Sequence, residues 1–488
     1  MGEQDKVTRM SDLMPMHNSF SDQAKCLEQV LSAQRAAQTL IPYPTYEQRC
    51  SDLLQLKVFL QDNADAIAKA INEDFGHRSM HETFFAEIVP VVQAVEYAIK
   101  NLKQWMKPKS LSVDWLNFFG AKNYLWAQPL GVIGVIVPWN FPINLSFMVL
   151  VDAFAAGNRV MVKMSENSRY LTRLLLDLTP RYFNADKLSF FEETGEVGVA
   201  FSRLKFDHLV FTGSSQTGKA VMAAAAQNLC PVTLELGGKS PAVVCPDFDM
   251  LTAVKRIMFA KCFNAGQICT NVDHVYVPYG RIDDFVQMAQ SVVQQRFSSL
   301  DSLDYTSIIN EQAFERLVNA LTQAKAQGAT LIPLMPGNPW DASTRKIVPH
   351  LVLNLPKGCV LQTNEIFGPI LPIIGYTELE EVVRAINSEP RPLAFYPFSD
   401  HSETVHALLS CVISGGVSVN DALFHAAQHS LPFGGVGDSG MGHYHGHDGF
   451  VTFSKMRPIF YQARFSPMRF MWPPYRKLAG QYLKFLMK

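Results

Sequence analysis

FDHLVFTGSSQTGKAVMAAAA, residues 206–226, is the stretch whose reading decides the fold. An apolar run of strand length ends in Thr212, Gly213 and Ser214 and gives way to an alanine-rich segment of helical composition. Backbone amides at a helix start can hold a phosphate, and glycine lets a ligand approach the backbone closely. From Gly213 to Lys219 the residues also match the phosphate-loop pattern GxxxxGK, but Ala220 stands where the magnesium-binding Ser or Thr belongs. The pattern departs from GxGxxG as well. A dinucleotide turn, a nucleoside triphosphate loop and a plain strand-to-helix turn that needs small residues all stay open on this stretch alone.

Upstream lie further short apolar runs, GVIGVIVP (131–138), NRVMVKM (158–164) and KLSFFE (187–192), with helical stretches between several of them. That alternation predicts an α/β protein with a parallel sheet. From Asp22 to about Lys107 the pattern is helical, with Leu53, Leu54, Leu56, Phe59 and Leu60 at helical spacing. A second α/β segment begins near LELGGKSPAVVC (234–245), continues through helical patterns around 251–262 and 281–298, and reaches about 420.

A chain of 488 residues exceeds one ordinary core, so two or three domains are expected. The 48% apolar and 18% charged composition is that of a globular protein, and a formal charge of -1 gives no electrostatic reason for a nucleic-acid partner. Eight cysteines form neither a CxxC pair nor a disulfide framework, which points to a reducing compartment, the cytoplasm. Glu3, Asp5 and Asp12 interrupt the start of the chain, so no export signal is expected there. The most apolar stretch, Leu145 to Val162, is broken by Asp152, Asn158 and Arg159, and no membrane span is expected.

Two residues invite a chemical reading. Cys269 lies in FNAGQICTN, and a reactive thiol must reach the thiolate state and leave room for substrate, whereas a packing cysteine needs neither. Glu235 lies beside Gly237 and Gly238 in LELGGK, where it either serves as a general base or simply ends a strand. Either residue alone is ambiguous.

Seven motifs occur together: PWNFP (138–142), the Lys and Glu of KMSE (163–166), FTGS with its following glycine (211–218), LELGGKSP (234–241), GQIC (266–269), EIFGP (365–369) and LPFGGVGDSGMGHYHG (431–446). In order and spacing the chain resembles the aldehyde dehydrogenase superfamily from about residue 24 to 460. Through DFGHRSMHET (74–83), WMKP (105–108) and PPYRKL (473–478) it is most similar to the class 3 group, which acts on fatty and aromatic aldehydes, and to bacterial coniferyl aldehyde dehydrogenases within it.

The resemblance implies a fold and a set of roles. The fold is a Rossmann-type cofactor domain, an α/β catalytic domain and a small bridging element, divided as residues 1–234 (with 110–130 bridging), 235–420 and 421–488. Cys269 is the implied nucleophile, Asn140 and the Cys269 amide the oxyanion donors, and Glu235 the base that activates water against the thioester. Lys163 and Glu166 are implied at the adenosine ribose, Gly213, Ser214 and Gly218 near the pyrophosphate, and Glu365 with Phe367 at the nicotinamide ribose and ring. A carboxylate at the ribose favours NAD over NADP, without excluding NADP. The family usually has proline where this chain has Met164, a departure expected to loosen the turn presenting Glu166. Retention of Glu235 argues for hydrolysis rather than transfer to coenzyme A, and class 3 relatives imply a homodimer. The alternatives are a non-catalytic protein that keeps the fold and, more remotely, a phosphate-loop nucleotidase.

Other features keep ordinary readings. His425 and His429 could share a helix face, but HAAQH lacks the glutamate of HExxH; His443, His445 and His447 alternate in a glycine-rich stretch. No metal site is expected. The remaining cysteines, Cys262 included, are read as core residues. From Lys455 to Lys488 there are eight Lys or Arg and no acidic residue, interleaved with aromatic residues. Such a tail packs on an acidic face of its own subunit or partner, or else lies on an anionic membrane surface as a peripheral contact.

Overall fold

The computed structural model describes residues 20–464 and 466–487. Glu3, Asp5 and Asp12, on which the export reading rests, and Phe465 and Lys488 of the tail lie outside them. Helices Phe20–Leu40, Tyr46–Asp62, Ala64–Phe75 and Val89–Trp105 open the chain. The second begins at Thr45, whose side chain and that of Gln48 bond each other's backbone in a capping box. Leu53, Leu56, Phe59 and Leu60 are fully buried on it, whereas Leu54 is exposed. At about 100° per residue the four buried side chains fall within about 120° of the helix surface, and Leu54 lies outside that arc.

Strands Leu188–Phe191, Arg159–Lys163, Val132–Ile136, His208–Thr212 and Val232–Glu235 lie side by side in that order and are parallel; the short strand Gly440–Met441 adds antiparallel to the last. The chain starts at the centre of this sheet, runs to one edge and returns to the other side of Val132–Ile136, which creates a topological switch point between that strand and His208–Thr212. Helix Pro142–Ala156 is buried almost all round, which explains why its sequence is apolar without a polar face. It and strand Arg159–Lys163 account for the Leu145–Val162 run. Among the described residues no helix is long and apolar enough to cross a membrane.

The second sheet has the order Thr330–Pro333, His350–Leu353, Ile370–Tyr376, His274–Pro278, Pro241–Val244, Ala394–Phe398 and Gly416–Val417, parallel apart from its first pair. Lys109–Leu111, Lys122–Pro129 and Ser454–Tyr461 form a separate antiparallel sheet. Glu235 thus ends a strand of the first sheet, and the chain enters the second only six residues later, at Pro241.

Two expectations are corrected here. Met164 does not loosen its turn: its amide donates to the Phe191 carbonyl at 3.0 Å, a bond that proline cannot make, and Ser165 closes the turn through its carbonyl to the Ser168 amide at 3.1 Å and its hydroxyl to the Asn167 amide at 3.2 Å. Nor are all the other cysteines core residues, for Cys411 is exposed on the last turn of helix Ser402–Cys411 and Cys26 and Cys50 are only partly buried.

Candidate active site at the switch point

A cavity of about 420 Å³ opens at the carboxyl ends of Val132–Ile136 and His208–Thr212, within the usual size range of small-molecule sites. Asn140, Gly213, Ser214, Glu235, Cys269, Glu365 and Phe367 all line it. Lys163, Glu166 and Gly218 do not.

Cys269 follows a tight corner. Asn264, Ala265 and Gly266 all adopt left-handed backbone, with φ of 50°, 50° and 76°. At Gly266 a side chain would collide with the Gly368 carbonyl, so only glycine fits. Strain of this kind persists where surrounding contacts over-determine it. The Glu82 carboxylate accepts from the Asn264 amide at 3.0 Å; the Gln267 side chain donates to the Asn264 and Ser307 carbonyls and accepts from the Ile309 amide; Asn271 donates to the Gly266 carbonyl at 2.8 Å. Burial pushes the half-buried Cys269 thiol up to about 12, with Glu365 and Glu235 adding to the shift, while the amides of Thr270 and Cys269 pull the other way.

Asn140 is fixed from behind. Arg78, fully buried, donates to the Glu87 carboxylate at 2.8 Å and to the Asn140 carbonyl at 3.1 Å. The other Glu87 oxygen accepts from the Ile143 and Asn144 amides at the start of helix Pro142–Ala156, whose free amides and dipole favour an anion. The Asn140 amide donates to the Gln267 carbonyl at 3.2 Å. That leaves one of its two N–H bonds for another acceptor.

Glu235 is buried, and among the described residues neither carboxylate oxygen has a hydrogen-bond partner. Burial raises its pKa well above the carboxylate range. Glu365 lies against Gly237, where a methyl group would overlap its carboxylate. Burial and then the charge of Asp273 lift Glu365 to about 8, against the Gly238 amide, Lys239 and Arg316. Phe367, at φ 48°, meets Trp139 edge-on at 5.6 Å.

Ser214 caps helix Ser215–Ala226 through the Thr217 amide, and Gly218 packs so closely on Leu236 that a side chain there would clash. Lys163 ends its strand in an ion pair with Glu193 at 2.6 Å; Glu193 also accepts from the amides of Gly195, Val197 and Gly198. Glu166 is exposed on the turn after Lys163. The cavity at a switch point, the capped helix start with Gly213 beside it, and two carboxyls inside fit a nicotinamide dinucleotide.

Sequence reading missed the residues that hold these groups in place. Asp273 accepts from Lys239 at 2.5 Å and from the Ile366 amide at 2.9 Å, and Lys239 also donates to the Leu361 and Asn364 carbonyls, which anchors the EIFGP loop. Burial disfavours the Asp273 carboxylate, but Lys239, His274 and Lys261 override it and hold it down at about 2. Arg316 lines the cavity and donates to the Ile366 carbonyl. Apart from the lysine inside LELGGK, no local pattern singles these residues out. The turn Phe424–Ala427 ends before His429, so His425 and His429 do not share a helix, and His425 instead bonds Ser418. Among the described residues no cluster of three or more His, Cys, Asp or Glu could hold a metal.

Comparison with known proteins gives the same fold and a family. The model of the aldehyde dehydrogenase family matches residues 11–459. A probable coniferyl aldehyde dehydrogenase from Pseudomonas aeruginosa is 47% identical over 92% of this chain and 94% of its own, and the dimeric NADP-preferring aldehyde dehydrogenase of Mus musculus is 35% identical over 84% and 88%. The substrate-bound Staphylococcus aureus AldH superimposes with a TM-score of 0.89 at 32% identity, covering 95% and 99%. The fold is also that of a P. syringae indole-3-acetaldehyde dehydrogenase solved with NAD+, at a TM-score of 0.82, 23% identity and coverage of 90% and 89%. The chain belongs to the aldehyde dehydrogenase family, enzymes that oxidise an aldehyde with NAD or NADP.

Proposed function

We propose that the enzyme oxidises a phenylpropanoid aldehyde of the coniferyl type to its acid, with Cys269 as nucleophile, Asn140 as oxyanion donor and Glu235 as base. The observation that carries the chemistry is that these three groups line one cavity and that the base is a buried carboxylate with no partner among the described residues. The substrate class draws on the relatives named coniferyl aldehyde dehydrogenases, at 41–47% identity, and on the aromatic walls of Trp139 and Phe367. Medium- and long-chain aliphatic aldehydes are the second reading.

Cys269 reacts as the thiolate, its proton lost to solvent, and its sulfur bonds to the aldehyde carbon. The oxygen becomes an alkoxide held by the Asn140 side-chain amide and the Cys269 backbone amide. A bound nicotinamide dinucleotide supplies the hydride acceptor for the oxidation that leaves a thioester on Cys269. Glu235 then takes a proton from water as the water oxygen attacks the thioester carbon, and release of the acid frees the thiol. Lys163 and Glu166 are assigned to the adenosine ribose, Gly213, Ser214 and Gly218 to the region of the pyrophosphate, and Glu365 and Phe367 to the nicotinamide end. An acidic Glu166 makes NAD the preferred cofactor, because it would repel the 2'-phosphate of NADP. The first sheet then serves the cofactor, the second the chemistry, and the three-stranded sheet the bridge, in a cytoplasmic homodimer.

NADH formation at 340 nm with coniferyl aldehyde, benzaldehyde, octanal and hexadecanal tests this reading in wild type and Cys269→Ala. Turnover that disappears in the variant and is fastest with coniferyl aldehyde is expected. Equal turnover in the variant would sink the assignment of Cys269, and a clear preference for octanal or hexadecanal would replace the substrate.

The tail offers a peripheral contact with an anionic lipid surface. Trp472, Tyr475, Leu478 and Phe485 are each more than 60% exposed beside Arg476, Lys477 and Lys484, and Trp115 and Phe119 are exposed on the segment to which Tyr482 bonds through Asn117. In the tail itself the exposed aromatic and aliphatic groups stand among cations and no acid, which suits that surface, although Asp114 is exposed beside Trp115. Cosedimentation with phosphatidylserine vesicles that survives deletion of residues 464–488 would remove the idea.

A further inference from the structure

Strands Arg159–Lys163 and Leu188–Phe191 are neighbours, with Lys163 the ladder partner of Phe191, and the second runs at its carboxyl end directly into Glu192 and Glu193. Both oxygens of Glu193 are held. Its Oε2 accepts from Lys163 Nζ at 2.6 Å and from the Gly198 amide at 2.9 Å, and its Oε1 accepts from the Val197 and Gly195 amides at 3.0 and 3.1 Å. The Glu193 and Lys163 side chains are only 14% and 9% exposed, so salt screens the pair weakly. Gly198 closes over it: an added methyl group would lie 3.1 Å from Glu193 Oε2 and 3.3 Å from Lys163 Nζ, tighter than side chains normally pack. Burial opposes the Glu193 charge, but Lys163 and the amides of Gly198 and Gly195 override it and hold the carboxyl below its ordinary range. Arg173 meets the adjacent Glu192 at 3.4 Å, and Glu166 stands exposed on the turn after Lys163.

We propose that Glu193 is a specificity-determining residue: its carboxylate neutralises Lys163 at the adenosine ribose and repels a 2'-phosphate, so that the site takes NAD in preference to NADP. The proposal rests on the assignment of Lys163 to that ribose given above. An ammonium has three N–H donors, and with one on Glu193 two are left for the ribose hydroxyls of NAD, which ask for no net charge. A 2'-phosphate replaces a hydroxyl by a multiply charged anion and needs a free cation. Lys163 meets that need only by leaving Glu193, and an ionised carboxylate then stays beside the phosphate where water screens it poorly. Glu166 is exposed and acts through solvent, so Glu193 carries more of the discrimination.

Isothermal titration of the full-length protein with NAD, NADP, AMP and adenosine 2',5'-bisphosphate tests it without any turnover. In Glu193→Gln the affinities of NADP and the bisphosphate are expected to rise against those of NAD and AMP by about 10- to 100-fold. Glu193→Asp keeps the charge and is expected to keep the wild-type ratio. Glu193→Ser removes the charge but leaves an oxygen for the amides; it is expected to shift the ratio in the same direction as the glutamine variant and stands in for it where that variant fails to fold. An unchanged ratio in the uncharged variants, an equal loss of NAD and NADP affinity, which is what a mere helix cap predicts, or a shift in Glu193→Asp as large as in Glu193→Gln would each overturn it. Lys163→Met checks the assignment beneath: NAD and AMP are expected to bind about tenfold more weakly, in line with loss of a charged hydrogen bond. Unchanged NAD affinity there removes Lys163 from the ribose, and this proposal with it, whatever the Glu193 variants do.

Discussion

Two buried carboxylates, Glu235 in the cavity wall and Glu87 behind it, have opposite surroundings. Glu87, beneath the PWNFP corner, is saturated by Arg78 and by the amides of Ile143 and Asn144. Glu235, at the end of its strand, has no partner among the described residues for either oxygen. Burial raises both pKa values, but at Glu87 the Arg78 charge and the helix-start amides act against it, whereas burial is the cause acting on Glu235. The contrast separates a carboxylate that holds structure from one whose lone pairs are unspent: the first has charged and backbone partners, and the second fits the base proposed above.

The sharpest way to break this comparison is to remove each acid in turn. Glu235→Gln is expected to lower aldehyde turnover by about 10²–10⁴-fold, the usual worth of a general base, with kcat followed at 340 nm. Retained turnover would return Glu235 to a structural role. Glu87→Gln should instead act first on stability, by about 3–5 kcal/mol in urea unfolding, since it leaves the Arg78 guanidinium buried without its counter-charge. If the fold is indifferent to that change, the Glu87 corner does not clamp Asn140.

The pH dependence sharpens the same contrast. Turnover limited by thioester hydrolysis should fall as pH drops through the raised pKa of Glu235, because the protonated acid cannot accept a proton from water. Stability has the other sign. The fold disfavours ionised Glu235, so wild type loses stability as pH rises from the ordinary carboxylate range through the raised pKa, and the melting-temperature gain of Glu235→Gln should grow over that span and vanish in acid. A gain independent of pH would contradict the burial argument. The smallest effect is at the exposed turn, where Glu166→Gln is expected to relax the NAD to NADP ratio of kcat/KM by about tenfold, in line with loss of one exposed charge. An unchanged ratio would detach Glu166 from cofactor choice.

Much of this site is legible in the chain because the contacts that matter are local in sequence. FTGS predicts a strand, a turn and a capped helix, and GQIC and LELGGK each carry their glycines beside the group proposed to react. The same local reading failed at Met164, where a long-range bond to Phe191 secures the turn, and at Leu54, one residue off the buried stripe. Nothing in HYHG marks Tyr444 as fully buried and His443 as exposed, since packing and not local sequence sets which ring points inward.

By itself the sequence determined the α/β class and, through its motifs, the family, because hydrophobic periodicity and glycine placement are properties of neighbouring residues; it also named Cys269 and Glu235 as the nucleophile and base proposed above. Only the tertiary structure decided which acids are paired. Glu82 meets Asn264 and Thr306, Glu87 meets Arg78, Asp273 meets Lys239, and Glu235 meets no one among the described residues. Those outcomes depend on burial and on partners up to some two hundred residues away along the chain, and burial is what makes the presence or absence of a partner decide how a carboxylate behaves.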